Sequence, residues 1–306
     1  MSITPHSLGS TESFWTELIR HFENVEDIRT SVYYDSLGVP TFGIGYALVV
    51  KNAEGKWIVR PKINDRLSSI SESLTADDMD VLSNIAKALN NGKVAEAKSL
   101  VDNHIFNCDG ITDDEARTLL RNIVENEYIS ALKSRIGTTL YNQFANSKEM
   151  VALLSIVYQG WVGAIKQPLI DALTDGTRTE VWYQIRYEMN TSNAGWMANR
   201  RYKEANEFGL YNGATTDINT DEAKEIIQMY TEHNAEILAY EGKYAPASSI
   251  QNEIQPAKTF LINAFGQGVD INGEVLVGQG LKTASYEQIS PADDIIMTIG
   301  NKNNLI

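Results

Sequence analysis

One cysteine in 306 residues leaves no internal disulfide to brace this chain, and Cys108 reads as a buried or incidental thiol. Histidines are as scarce: four, scattered, none at ligand spacing, so no metal site is expected and no cofactor with it. No run of about 18 apolar residues occurs, which excludes a transmembrane helix and membrane insertion by one. The first ten residues lack a basic flank and an apolar core, so no secretory signal is visible and synthesis in the cytoplasm is expected. Basic residues are outnumbered, 26 Lys and Arg against 40 Asp and Glu, for a net charge of −14. That balance, with a pI near 4.8, disfavours nucleic acid and anionic surfaces as non-specific partners. Repeats and low-complexity stretches are absent, and the length suffices for one large or two modest domains.

The most informative stretch runs from residue 26 to residue 46. Before it, Phe14, Leu18, Phe22 and Val25 recur at three- and four-residue intervals, a helical stripe that Ser10 or Thr11 is placed to cap. After it starts, Tyr33-Tyr34, Val39 and the Thr41-Phe-Gly-Ile-Gly45-Tyr46 run favour strands, with Gly38 and Pro40 marking a tight turn. Glu26 therefore leaves the end of a helix, and Asp35 sits on the hairpin just after it. Two carboxyl groups on adjoining elements at a cleft edge suit glycoside hydrolysis. One, held protonated, gives its proton to the leaving oxygen; the other stays ionised and activates water or attacks the sugar. A lone pair of acids nine residues apart carries little weight in so acidic a chain, since most acids are simply solvated.

The whole string carries more. Glu26, Arg29, Tyr33, Asp35, Gly38, Thr41 and Gly43-Ile-Gly45 together resemble the catalytic signature of phage-type lysozymes, glycoside hydrolase family 24. The family spacing of Glu, eight residues, Asp, five residues, Thr is met by Glu26, Asp35 and Thr41; Glu23, one turn earlier, does not meet it. Tyr46 stands where histidine is common in the family.

Residues 47–110 form an insertion relative to the minimal family pattern. They read as two short strands about the Asn52-Ala-Glu-Gly55 turn, a helix opened by Thr75 and closed by Gly92, and a shorter helix from Val94 to Val101. Trp57 in this hairpin suits packing better than sugar stacking. The resemblance resumes at Gly110. Thr112 and Glu115 form a capping box that opens a helix running towards Leu132, the counterpart of the family's long helix between its two lobes. The almost uniformly apolar run from Glu149 to Gly160 resembles the family's central helix, which ends at the cleft in an aromatic-Gln pair, here Tyr158-Gln159. For Gln159, substrate contact and backbone capping are both open. Asn199-Arg200-Arg201 followed by Glu204 resembles the family's closing signature, in which Arg200 would pair with Glu26 and orient it.

The resemblance covers about residues 11–212. Beyond it, Asn219 and Glu222 suggest another capping box, with Ile226, Tyr230, Ile237 and Leu238 on one helix; Gly242 and the Pro246-Ala-Ser-Ser249 stretch suggest a linker. Residues 257–306 read as β-rich, from Thr259-Phe-Leu-Ile262 through Val269, Asn272-Gly273 and Val275 to Ile295. From 213 onward 13 acids oppose 5 lysines, a net −8.

The expected architecture is thus mainly α (α+β): a two-lobed lysozyme-like fold with a small β-hairpin lobe over residues 1–212, plus an acidic C-terminal helix and β-rich extension over 213–306. The resemblance implies an N-acetylmuramidase that cleaves the β-1,4 bond between N-acetylmuramic acid and N-acetylglucosamine in peptidoglycan. Glu26 would be the acid, Asp35 the base of an inverting reaction and Thr41 the second holder of the water. Tyr33, Gly45, Tyr46, Tyr158, Gln159 and Arg200 would support them. Peptidoglycan would be the partner, reached after release or delivery. The acidic extension leaves several identities open: an antibacterial effector, a bacteriocin, or a phage lysis or virion enzyme. It also suits an immunity protein or delivery component as a further partner. The rival reading is a non-catalytic glycan-binding module that keeps the lysozyme fold.

Overall fold

Apolar stripes at helical spacing make most of this chain helical, and the glycine-punctuated stretch near residue 40 supplies its sheet. The computed structural model describes residues 3–160, 162–190 and 192–265. By contacts the chain divides into two units: Ser7–Ile165, and Met1–His6 together with Lys166–Ile306.

The Ser7–Ile165 unit begins with α1 (Thr11–Val25), whose first turn is capped by the Ser10 hydroxyl accepting from the Ser13 N–H. A three-stranded antiparallel sheet comes next: β1 (Ile28–Tyr34), β2 (Pro40–Ile44) and β3 (Tyr46–Ala47) in that order. Pro40 is the first residue of β2 and pairs with Tyr34, so the turn lies between them, centred on Gly38. The insertion contributes the hairpin β4 (Val49–Lys51) and β5 (Trp57–Val59), then α2 (Ile63–Leu67), α3 (Ala76–Asn90) and α4 (Val94–Asp102). Trp57 is half-buried there beneath the Lys51 ammonium, 5.0 Å from its ring centre. Thr75 caps α3 through a reciprocal box with Asp78, and Thr112 caps α5 (Asp113–Ile123) through one with Glu115. The helix expected to run on towards Leu132 does continue, but through a π turn over Val124–Tyr128 into α6 (Ile129–Ile136). Then come α7 (Thr138–Gln143) and α8 (Lys148–Gly160). Every side chain of α8 from Glu149 to Tyr158 is buried, the mark of a helix with protein on all sides. α1, α6 and the π turn pack on it, and α5 lies along β1 and β2.

The regular elements of the second unit are all helices among the described residues. It comprises α9 (Gln167–Asp175), α10 (Arg178–Tyr183), α11 (Gly195–Phe208), α12 (Thr220–Tyr244) and α13 (Ile250–Phe265), with a second π turn over Gln184–Glu188. Arg178, buried, ties its distant parts together: the guanidinium donates to Thr4 O (2.7 Å), Phe208 O (2.9 Å) and Gly209 O (3.0 Å). Asn219 caps α12 by accepting from Glu222 N–H, while the Glu222 carboxylate accepts from the Asn212 N–H, closing the turn before the helix.

Three expectations change here. The helix opened by Asn219 continues through Gly242 to Tyr244, so the linker is only Ala245 to Ser249. Leu238 is 42% exposed and stands off the buried stripe of Ile226, Tyr230 and Ile237. Thr259-Phe-Leu-Ile262, read as a strand from its β-branched and aromatic residues, lies in α13, because Ile250, Ile254, Ala257 and Leu261 form a buried 4-3-4 stripe. The remaining β expectations, Val269, Asn272-Gly273, Val275 and Ile295, fall outside the described residues. The boundary expected at residue 212 falls inside this unit: α12 packs on α10 and α11, and α13 packs on α12.

Candidate active site

Glu26 owes its place to the way α1 ends. Its N–H still closes the last helical turn on Phe22 O (2.8 Å), but its backbone is already extended, at φ −128° and ψ 149°. The side chain is half-buried and lies against Gly45, at the β2–β3 corner. A β-carbon at residue 45 would sit 3.0 Å from the Glu26 carboxyl carbon and 3.2 Å from Oε2, closer than such contacts ordinarily come. Gly45 also has φ +74°, a conformation side chains disfavour. Two independent requirements therefore fix glycine at the corner that the acid touches. Glu23, the other acid of that helix end, accepts a 2.6 Å hydrogen bond from Arg117 Nε.

Asp35 lies just past β1 and builds the hairpin turn. Its Oδ1 accepts from the Leu37 and Val39 N–H groups, both at 2.9 Å, and its own N–H donates to Val39 O (3.0 Å). Oδ2 carries no hydrogen bond among the described residues. Gly38 takes the left-handed position of this turn (φ +81°), and a β-carbon there would meet Val94 Cγ1 of α4 at 3.2 Å. Thr41 pairs with Tyr33 across the β1–β2 ladder, and directly opposite residues share a face of the sheet. It is 6% exposed, and its hydroxyl donates to Val39 O at 3.1 Å, leaving the oxygen lone pairs to accept.

Tyrosines surround the acid. Burial pushes the Tyr33 hydroxyl up to about 12, and the Glu26 carboxylate acts in the same direction. Tyr128 and Tyr158 are also raised by burial first, with Glu26 contributing. All three stay neutral and keep their protons at ordinary pH. Tyr158 spends its proton on Ile44 O (2.6 Å), and its ring packs edge-on to Phe22 at 4.9 Å; it braces the hairpin from within. Gln159 is half-buried one residue further on, near the end of α8.

Tyr46 is buried under the Arg60 guanidinium, 4.5 Å from its ring centre. Arg60 donates to Ala47 O (2.7 Å) and Glu127 (2.9 Å), and Glu127 also accepts from Arg66 (2.8 Å). This Arg60–Glu127–Arg66 bracket behind β3 had no legible signal. Glu127 is more than 60 residues from either arginine and is aimed by the π turn. Arg200, in the second unit, is buried and donates through Nε to Glu204 Oε1 (2.9 Å); Arg201 bonds the same carboxylate.

Chemically, the Ser7–Ile165 unit brings a half-buried carboxyl group at a helix end onto a hairpin that carries a second carboxylate with one unused oxygen. Among the described residues no cluster of three His, Cys, Asp or Glu is placed to hold a metal ion. Comparison with known protein families and with curated proteins finds no match for this chain.

Proposed function

We propose that this protein is a phage-type, lysozyme-like N-acetylmuramidase, hydrolysing the β-1,4 bond between N-acetylmuramic acid and N-acetylglucosamine in peptidoglycan. The observation that carries the reading is the division of labour between the two acids. Glu26, half-buried at the end of α1, lies against Gly45, whereas Asp35, equally half-buried, has Oδ1 taken by two backbone N–H groups and keeps Oδ2 open. Two carboxyl groups carried in this way on adjoining elements suit an acid and a base.

Glu26, protonated, gives its proton to the glycosidic oxygen as the bond to the anomeric carbon breaks. Asp35 Oδ2 takes a proton from water as that water adds to the opposite face. Thr41 Oγ1, its own proton held by Val39 O, accepts from the same water and aims it. A water between acid and base gives inversion, which requires carboxyl groups about 6.5–9.5 Å apart.

The test is digestion of purified peptidoglycan by the full chain between about pH 4 and 8, with mass spectrometry of the fragments. New reducing-end muramic acid is expected. Released peptides or reducing-end glucosamine would replace the muramidase reading with an amidase or glucosaminidase, and no fragments at any pH would favour a binding module. A companion prediction concerns Gly45→Ala. The methyl group has to push the Glu26 carboxyl aside and force a left-handed alanine, which costs about 1–2 kcal/mol of stability. Turnover is expected to fall by about 10- to 100-fold, since a displacement near 1 Å is enough for the larger figure. A variant with wild-type kcat would show that the Gly45 contact does not set the position of the acid.

A further inference from the structure

The segment between the two acids is irregular. Arg29 pairs with Gly43 and Tyr33 with Thr41, so three residues of β1, Thr30 to Val32, stand against Phe42 alone. Such a bulge bends a strand and re-aims the residues beyond it. It also removes backbone groups from the ladder, and these need other partners. They find them about 77 residues away, at the return of the insertion. Asp109 Oδ1 accepts from the Val32 N–H at 2.6 Å, and Oδ2 accepts from the Phe106 N–H at 2.9 Å. Thr30 O accepts from both the Gly110 N–H (2.8 Å) and the Ile111 N–H (3.2 Å). One carboxylate thus bridges the bulge to its own loop, and the backbone beside it closes the same joint. Gly110 adopts φ +94° to make that approach.

The insertion grips the hairpin further along as well. The Lys98 ammonium lies 5.1 Å from the Tyr34 ring centre, and Val94 backs the turn at Gly38. Thr30 O and the Val32 N–H, which leave the regular ladder, thus rest on residues 109–111, while Tyr34 and Gly38 rest on Lys98 and Val94.

We propose that Asp109 is a positioning residue for the hydrolytic site: by clamping the β1 bulge it sets where Asp35 stands relative to Glu26. The assignment rests on the muramidase reading. It makes the insertion a working part of the catalytic unit, supplying through one carboxylate the geometry that the β1–β2 ladder does not.

The experiment compares the wild-type chain with Asp109→Asn and Asp109→Glu on soluble peptidoglycan fragments. Asparagine turns an NH2 group towards one of the two N–H donors, so the bridge opens with little change in volume. The expected result is a kcat lower by about 100-fold with KM within about twofold, because orientation is lost and not binding. Asp109→Glu, which keeps both acceptor oxygens, is expected to recover about a tenth or more of the wild-type kcat. Amide exchange supplies a readout independent of turnover: Val32, outside the ladder, should be protected in the wild type and exchange at least about 10-fold faster in Asp109→Asn. An active wild type whose Asp109→Asn variant keeps kcat within threefold, or a wild-type Val32 amide without protection, overturns the inference. So does a fall in kcat for Asp109→Asn that Asp109→Glu does not relieve. A wild type that cleaves nothing, with Val32 protected, instead overturns the muramidase reading and the positioning role that rests on it.

Discussion

Glutamine in place of Glu26 is expected to lower hydrolysis by about 1,000-fold, some 4 kcal/mol of transition-state stabilisation, with little effect on the fold. Glutamine matches glutamate in shape, so the contact with Gly45 and the end of α1 survive, but it has no proton to give the leaving oxygen. The melting temperature should stay within about 2 °C of wild type, because no packing is lost. Glu23→Gln is the internal control. Glu23 is held by Arg117 in an ion pair whose side chains are 30% and 36% exposed, and such pairs contribute only about 0–1 kcal/mol. Its rate should remain within about threefold of wild type, a difference below 1 kcal/mol. Equal losses in both variants, or more than a tenth of the wild-type rate in Glu26→Gln, would take the acid's role away from Glu26.

Ending the chain at Asn212 is expected to destroy the second unit. Its own residues look sufficient in sequence, and the acidic remainder looks removable. The structure gives the opposite balance. Arg186 is 1% exposed, with its guanidinium stacked among Trp182, Tyr187 and Tyr202, and it donates to Ser248 O at 2.5 Å. Glu241 and Glu253, at 3.8 and 3.9 Å, are its carboxylate neighbours. Tyr187 donates to Glu241 and Tyr211 to Glu253 O. Truncation removes Ser248, Glu241 and Glu253 and bares the apolar floor beneath α12 and α13. Breaking a buried charge pair from one side alone destabilises by about 3–5 kcal/mol, a large part of any domain's stability. The truncated chain should be insoluble, or should lose the cooperative melting of this unit in calorimetry. A soluble product melting within about 3 °C of the full chain would show that 213–265 is an appendage after all.

Where local chemistry and tertiary need agreed, the sequence was readable. Ser10, Thr75 and Thr112 cap helices because each stands just before an apolar stripe. Gly38 and Gly45 sit where the backbone turns left-handed, so the hairpin carrying Asp35 and Thr41 could be placed to within a residue or two. What stayed hidden was non-local. Asp109 looks like any loop aspartate until Val32 is brought to it, and Glu127 points at Arg60 only because a π turn rotates it there. Thr259 to Ile262 show the other failure. Their side chains favour strands locally, but the buried stripe from Ile250 to Leu261 decides the matter, since packing overrides propensity. Gly242 resembles a break by residue type, yet a single helical glycine costs only about 1 kcal/mol, within reach of what α12 gains by packing.

The bond from Arg178 to Thr4 has a meaning in time as well as in space. The two residues are 174 apart in sequence, so the N-terminal arm leaves the ribosome long before its anchor exists. At about 5–20 residues per second, that arm waits on the order of ten to thirty seconds. Meanwhile Ser7–Ile165, contiguous in the chain, is complete and free to fold. The second unit cannot finish until its first few residues are recaptured across that whole length. Closing so long a loop is slow, though its entropic penalty grows only logarithmically. The carboxyl-bearing hairpin thus needs nothing made after Ile165, whereas the bond that holds the arm needs Arg178.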